Sequence, residues 1–139
     1  MLNNTDSIIF DLDGTLWDAA ESVAKAWQRG ISKLDFTGKE ITAADIRSVA
    51  GMQHDKIFEK LFPDLNQQQE LTKTCGRIEL ELVQTEGGPL FEGMKKSLDY
   101  LQENYKLFIV SNCQNGYIQA FLDYHSLHSC FSDFECSGK

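Results

Sequence analysis

Residues 7–18 read SIIFDLDGTLWD, and this stretch decides the fold that the chain can adopt. Residues 7–12 form a short run that is apolar up to its first aspartate, which is typical of a strand buried on both faces of a parallel sheet. Asp11 and Asp13 stand where that run ends, directly before a glycine. Because side chains alternate along an extended chain, both carboxylates are predicted to face one pocket while Leu12 points into the core.

The rest of the chain alternates between helical and strand-like patterns. Apolar residues recur at helical spacing in four segments between residues 18 and 87, and the breaker Gly87-Gly88-Pro89 follows. Asp18 with Glu21, and Thr42 with Asp45, are predicted to cap the starts of the first two helices. After it come a helix, a buried strand over residues 107–111, another helix and a weaker strand over residues 131–135. This alternation predicts an α/β fold with a Rossmann-like parallel sheet.

The order of these segments also predicts how the domains are arranged. We expect a discontinuous α/β core formed by residues 1–15 and 88–139, with an all-helical insertion at residues 16–87. In open α/β sheets, ligands bind outside the carboxyl ends of the strands. Asp11-Leu12-Asp13-Gly14 and Ser111-Asn112 stand at two such ends, so these two polar sequences are expected to meet in one crevice.

Composition and charge argue against several classes of function. The 139 residues carry a formal net charge of −8 and show no cluster of Lys or Arg, which disfavours binding to a nucleic-acid backbone. The longest apolar runs are far shorter than a membrane span, and no signal region is visible, so we expect a cytoplasmic protein without a membrane partner. The four cysteines form no CxxC pair and suit reduced thiols.

Three interpretations of the aspartate pair can be compared. A calcium loop starting at Asp11 would need glycine and glutamate at the positions of Leu16 and Ser22, so this interpretation fails. A second interpretation makes the pair turn residues, with Gly14 supplying a positive φ. The third is a cation site, because two like charges this close repel each other and a divalent cation relieves the repulsion.

The third interpretation leads to phosphoryl chemistry. Oxygen ligands favour magnesium, which commonly bridges a protein carboxylate to a substrate phosphate. With a cation screening its charge, an aspartate can attack phosphorus and form an aspartyl-phosphate. The neighbouring carboxyl group can then act as general acid for the leaving group and as general base for water.

The string IIFDLDGTLWD, followed after a helical insertion by LFIVSN, resembles the haloacid dehalogenase-like (HAD) hydrolase superfamily, specifically its phosphatases with a helical cap. Residues 40–62, with Arg47 and Gly51, are also similar to the cap of phosphoglycolate-phosphatase-like members. The resemblance implies a magnesium-dependent phosphatase that hydrolyses a small phosphorylated metabolite through an aspartyl-phosphate intermediate.

The resemblance also implies roles for individual residues. Asp11 would be the nucleophile and Asp13 the general acid/base, with Mg²⁺ held by the Asp11 carboxylate and the Asp13 backbone carbonyl. The hydroxyl of Ser111 and the backbone amide of Asn112 would bind the transferring phosphoryl group. A second aspartate two residues after the nucleophile separates phosphatases from dehalogenases in the superfamily.

Within the helical cap, residues 51–56 (GMQHDK) are expected to face the substrate. His54 and Lys56 are the candidate contacts within this segment.

The family pattern also contains a lysine near the phosphate and an acidic pair after a later strand. Lys139 is the candidate for the lysine, and no acidic pair follows a fourth strand. The sequence therefore predicts a chain truncated before these motifs, weakly active or inactive by itself, whose residues 8–10 lie at an open sheet edge that favours self-association. A non-catalytic remnant of the fold and a phosphomutase similar to beta-phosphoglucomutase stay open as alternatives.

Overall fold

A computed structural model describes residues 3–34, 39–64 and 66–138, and a three-stranded parallel sheet lies at its centre. The strands are β1 (Ser7–Phe10), β2 (Lys106–Gln114) and β3 (Asp133–Gly138), in the spatial order β1-β2-β3. The predicted α/β fold with a Rossmann-like parallel sheet is confirmed. The candidate lysine, Lys139, lies outside the described residues.

The helices occupy two parts of the chain. Between β1 and β2 lie α1 (Ala20–Lys33), α2 (Ala43–Ser48), α3 (His54–Leu61), α4 (Gln68–Thr85) and α5 (Met94–Leu101), and between β2 and β3 lie α6 (Tyr117–His125) and a short 3₁₀ helix (His128–Cys130). Among the described residues, no strand lies between helices α1 and α4, as the sequence predicted. The division into a core and an inserted cap stays a prediction.

The two faces of the sheet differ in burial. Leu107 and Ile109 of β2 are almost fully buried, whereas Ile9 of β1 is 67% exposed and Val110 is 49% exposed on the other face. The prediction that β1 is buried on both faces is therefore wrong for the described residues. The physical reason is that the face bearing Ile9 has little cover within the described chain. The second prediction for this strand, that residues 8–10 lie at a sheet edge, is confirmed among the described residues.

A close contact joins α1 to α4 in the helical segment. The indole of Trp27 on α1 also stacks on Phe58 of α3, with ring centroids 4.3 Å apart. Gly30 faces Cys75, and a Cβ atom at Gly30 would lie only 2.5 Å from the Cys75 Sγ atom. The absence of a side chain at Gly30 therefore lets the two helices approach closely.

The predicted cap at the start of α2 is confirmed, whereas the predicted cap at the start of α1 is wrong. Thr42 and Asp45 form the predicted capping box at the start of α2. Asp18 and Glu21 do not form one, because α1 begins after Ala19 with no side-chain cap. Asp18 instead accepts hydrogen bonds from the Ala20 backbone N–H and from the Arg47 guanidinium.

Two further expectations concern the cysteines and the membrane. All four cysteines are free, and Cys75 and Cys130 are buried, as expected for reduced thiols. In the described ranges, every helix is too short or too polar to span a bilayer.

Candidate active site

A cavity of about 410 Å³ lies at the carboxyl ends of β1 and β2 and is walled by side chains of α1, α2, α3 and α4. The residues Asp11, Asp13, Ser111 and Asn112 all line it. They meet there because β1 and β2 pair in parallel, so that both strands end at the same edge of the sheet. The two polar sequences that lie about a hundred residues apart are thus brought together, as the sequence predicted.

Asp11 presents its carboxylate at the end of β1. The residue is exposed, and its Oδ1 atom accepts a hydrogen bond of 2.7 Å from the backbone N–H of Leu12. Leu12 is fully buried, which agrees with the predicted alternation of side chains at this point. The Asp11 carboxylate is therefore oriented by the backbone and remains accessible from the cavity.

Asp13 has a different environment from Asp11. Its Oδ1 atom accepts a hydrogen bond of 2.8 Å from Trp17 Nε1 and another of 2.9 Å from the Tyr117 hydroxyl. Burial raises the pKa of Asp13 from 3.8 to about 7, against the two hydrogen bonds, which lower it. The negative charges of Glu79 and Asp11 act in the same direction as burial and are smaller contributions to this value. Asp13 is thus set up to hold a proton near neutral pH while Asp11 stands exposed beside it.

A tight turn after β1 supports this arrangement. Gly14 has a φ of +77°, as the turn interpretation required, and its N–H donates a hydrogen bond of 3.1 Å to the Trp17 carbonyl. The turn returns the chain so that the Trp17 indole, fully buried, reaches Asp13 four residues earlier. The turn and the acid site are therefore parts of one local structure.

The end of β2 supplies the opposite side of the cavity. Ser111 is buried, with 8% of its surface exposed. The Asn112 side chain donates a hydrogen bond of 3.0 Å from Nδ2 to the backbone carbonyl of Gly51, which lies between α2 and α3. Cys113 also lines the cavity, but burial raises the pKa of its thiol to about 12. Cys113 is therefore a neutral thiol and not a nucleophile near neutral pH.

Arg47 is the cationic side chain of α2 at the cavity, and it is held by an acid. Its Nε and Nη2 atoms donate to Asp18 Oδ2 at 3.1 Å and 2.9 Å. Partial burial of Asp18 alone would raise its pKa, but the hydrogen bonds from Arg47 and from the Ala20 amide outweigh this effect and lower it. Arg47 therefore joins α2 to the segment that leads into α1.

The structure separates the two candidates from the helical segment. His54 lines the cavity, and its Nε2 atom lies 3.4 Å from Glu79 Oε2. Lys56 is exposed and does not line the cavity; its Nζ atom pairs with Glu59 at 3.0 Å. Only His54 of this pair is therefore placed to meet a ligand in the cavity.

Three residues at the site were missed from the sequence. Trp17 lies within the quoted stretch, four residues after Asp13, but nothing in the pattern showed that its indole would bond to that acid. Tyr117 has no local signal at all. Glu79 did have one, because it stands four residues after Cys75 and therefore on the face of α4 that carries buried apolar residues.

The donor set at this site fits a hard cation. Asp11 offers an exposed carboxylate, and the resemblance to the HAD superfamily implies the Asp13 backbone carbonyl as a second ligand; oxygen donors of these kinds suit magnesium. The described residues contain no group of three or more His, Cys, Asp and Glu side chains arranged to hold a metal ion. Magnesium commonly binds through one or two carboxylates, with waters and substrate oxygens completing its shell, so the two aspartates are compatible with it.

Comparisons with known proteins agree with the fold. A family model described as haloacid dehalogenase-like hydrolase matches residues 8–138. A predicted phosphoglycolate phosphatase from Haemophilus somnus superposes with a TM-score of 0.86 at 17% identity, covering 100% of this chain and 66% of that one. A predicted phosphatase from Clostridium acetobutylicum gives 0.77 at 19% identity, with 97% and 63% covered. No curated protein sequence matches the chain.

A third solved structure is described as a HAD-hydrolase from Bacillus subtilis bound to magnesium. It superposes with a TM-score of 0.67 at 18% identity, covering 96% of this chain and 65% of that one. At these identities the similarity to solved structures shows a shared fold. The chain spans just under two thirds of the length of the solved structures it matches.

Proposed function

The chain belongs to the haloacid dehalogenase-like hydrolase family, and we propose that it forms the catalytic part of a magnesium-dependent phosphatase acting on a small phosphorylated metabolite. The observation that carries this proposal is the contrast between two neighbouring carboxyl groups. Asp11 is exposed in the cavity, whereas burial raises the pKa of Asp13 to about 7. Two carboxyl groups in such different environments are suited to different roles in one reaction.

In the first step Asp11 attacks the phosphorus atom of the phosphate ester. A bond forms between an Asp11 carboxylate oxygen and phosphorus, and the bond from phosphorus to the ester oxygen breaks. Protonated Asp13 gives its proton to the departing alkoxide, which leaves as the alcohol. The products of this step are the free alcohol, an aspartyl-phosphate on Asp11 and ionised Asp13.

In the second step water hydrolyses the aspartyl-phosphate. Asp13, now ionised, takes a proton from the water that attacks phosphorus, and the Asp11 carboxylate departs with its original bonds restored. Trp17 and Tyr117 hold the Asp13 Oδ1 atom throughout, and both donate to the ionised form. These two donors therefore favour the state of Asp13 that accepts the proton.

Magnesium and the phosphoryl group would share the floor of the cavity. The Asp11 carboxylate and the Asp13 backbone carbonyl would hold the ion, which supplies charge neutralisation between the nucleophile and the phosphate when bound. Ser111 through its hydroxyl and Asn112 through its backbone amide would position the phosphoryl oxygens. The Asn112 side chain bonds to Gly51, so it would keep the helical segment against the bound phosphate.

Hydrolysis of p-nitrophenyl phosphate in the presence of magnesium tests this proposal. The Asp11→Asn variant keeps the shape of the nucleophile but removes its charge, and Asp64→Asn, at an exposed position away from the cavity, is the matched control. Because the sequence predicts only weak activity for this chain by itself, we expect a low turnover that Asp11→Asn abolishes and Asp64→Asn leaves unchanged. Equal rates for Asp11→Asn and the parent would remove the nucleophile assignment.

A second measurement distinguishes the non-catalytic alternative. Thermal unfolding with and without magnesium reports binding of the ion independently of turnover. If the parent chain hydrolyses nothing but is stabilised by magnesium in an Asp11-dependent way, the described residues form a binding site without activity. Failure of both measurements would contradict the proposed function.

A further inference from the structure

Glu79 is a buried acid in the cavity wall that the proposed reaction does not use. It lies on α4 with 4% of its surface exposed and lines the cavity. Its Oε2 atom accepts a hydrogen bond of 2.5 Å from Trp27 Nε1, and its Oε1 atom accepts one of 3.2 Å from Gln114 Nε2. The His54 ring lies 3.4 Å from Oε2. Three side chains from three different elements therefore converge on this one carboxylate.

The residues around Glu79 pack closely, and this packing fixes the positions of its hydrogen-bond partners. Gly76 stands one turn before Glu79 on α4, and a Cβ atom there would lie 3.0 Å from Gln114 Oε1 and 3.3 Å from His54 Cε1. Gln114 also donates to the Gly76 carbonyl at 3.0 Å. The small residue thus makes room for both His54 and Gln114 beside the acid.

The charge of Glu79 is poorly balanced by its neighbours. The indole of Trp27 and the amide of Gln114 are neutral donors, and His54 is charged only when protonated. No Lys or Arg of the described residues lies within ion-pair distance of Glu79. Burying a carboxylate without a cation beside it costs free energy. A carboxylate can accept about four hydrogen bonds, so one acceptor position of Glu79 remains for a further donor.

Arg47 also lines the cavity, but its positive charge is already paired with acidic side chains. Asp18 accepts two of its hydrogen bonds, and Glu21 lies 3.8 Å from its Nη2 atom. Much of the remaining wall is apolar and includes Val23, Ile46 and Val49. An apolar wall lowers the local dielectric constant, which strengthens the effect of the Glu79 charge on a bound ligand.

From this cluster we infer that Glu79 determines which phosphate esters the cavity accepts. The alcohol part of the substrate carries an ammonium or hydroxyl donor that bonds to Glu79, and an ester whose alcohol part carries a carboxylate is disfavoured by repulsion. This inference rests on the proposed function, since it assigns the part of the substrate that points away from the reacting phosphate. The inferred preference differs from that of a site for phosphoglycolate, because the non-phosphate end of phosphoglycolate is a carboxylate.

Three two-carbon phosphate esters test the inference, because they differ only in their terminal group. They are 2-aminoethyl phosphate, 2-hydroxyethyl phosphate and phosphoglycolate, ending in an ammonium, a hydroxyl and a carboxylate. Their affinities are measured by calorimetry with magnesium and the Asp11→Asn variant of the chain, so that binding is read without turnover. A pH of about 8.5 is used, above the range in which histidine side chains ordinarily change charge.

We expect the affinity to fall from the ammonium to the hydroxyl to the carboxylate ester, with at least about a tenfold difference between the extremes. Adding Glu79→Gln should reduce that difference to about twofold or less. Glu81→Gln, on the exposed side of the same helix and paired with Arg77, is the matched control and should keep the full difference.

Equal affinities, a reversed order, or no binding of any ester would overturn the assignment of Glu79. The same order and size of preference in the Glu79→Gln variant would also overturn it. If Glu79→Gln does not fold, as judged by circular dichroism, the order of the three affinities in the Asp11→Asn chain decides the question. Hydrolysis of the three esters by the parent chain is a separate measurement; ordered binding without hydrolysis would contradict the proposed function and support this inference.

Discussion

The hydroxyl group of Tyr117 donates a hydrogen bond of 2.9 Å to Oδ1 of Asp13, although 104 positions of the chain separate the two residues. The tyrosine lies at the start of α6, after the turn that follows β2, and is almost fully buried. Its bond favours the ionised carboxylate, whereas burial favours the neutral acid and has the larger effect. The proton affinity of Asp13 thus depends on an element remote in sequence.

Replacing Tyr117 by Phe is expected to raise the pKa of Asp13 further. The substitution removes a donor to the charged form while keeping the ring in place, so the midpoint should rise by about one pH unit. Titration of the Asp13 carboxyl carbon by NMR measures the change. Tyr100→Phe, at a residue that is 61% exposed, is the control and should leave the midpoint unchanged. An unchanged Asp13 midpoint in Tyr117→Phe would show that the bond has no electrostatic effect.

Asp13 should also make stability depend on pH. Its folded pKa of about 7 lies above the ordinary value of 3.8, so the folded state binds more protons between these two values. The contribution of Asp13 to stability is therefore present below about pH 4 and is lost as the pH rises through about 7. Asn at this position can accept the same two hydrogen bonds without carrying a charge.

Asp13→Asn is accordingly expected to gain stability relative to the parent as the pH rises. The gain should be on the order of 2–4 kcal/mol at about pH 8 and should vanish near pH 4. Urea unfolding in the presence of EDTA measures it, because a bound divalent cation would favour the ionised acid. A constant difference between the two proteins across this range would mean that Asp13 titrates normally.

The bond between Trp27 and Glu79 should couple their contributions to stability. Trp27→Phe keeps a ring to stack on Phe58 but removes the donor to a buried carboxylate, so we expect a loss of about 2–3 kcal/mol. In a Glu79→Gln background the same substitution should cost clearly less, since no buried charge is left without its donor. A double-mutant cycle by urea unfolding gives the coupling energy, and additive losses would contradict the prediction.

A side chain at Gly30 should force α1 and α4 apart. Gly30→Ala places a Cβ atom 2.5 Å from Cys75 Sγ, and we expect a loss of about 1–3 kcal/mol in the free energy of unfolding. Combining it with Cys75→Ala removes the sulfur atom and should recover part of that loss. Thermal or urea unfolding of the single and double variants checks this. If Gly30→Ala were more stable than the parent, the helices would be able to separate at little cost.

Features encoded by nearby residues were predicted well from the sequence. The alternation of side chains in the first strand predicted that Asp11 and Asp13 would reach one cavity and that Leu12 would be buried. The capping residues Thr42 and Asp45 predicted the start of α2. These features depend on backbone periods and on contacts within a few positions, so a short stretch of sequence contains the information that fixes them.

Other local patterns led to wrong predictions, because residues distant in the sequence determine the structure at those positions. Asp18 carries the signature of a helix cap, but its second carboxylate oxygen accepts two hydrogen bonds from Arg47, 29 positions away. The apolar run at the first strand predicted burial on both faces, yet Ile9 is 67% exposed. Whether an apolar face is covered depends on which elements pack against it, and this is a property of the assembled layers.

The sequence by itself determined the parallel α/β fold, the family, and the meeting of the two polar sequences at the end of the sheet. Only the tertiary structure decided the protonation of Asp13, because that depends on burial and on the bond from Tyr117. It also decided that His54 and not Lys56 lines the cavity, and that Glu79 lies in its wall. Charge and hydrogen bonding at a site are set by neighbours in space, and most of these neighbours are far apart along the chain.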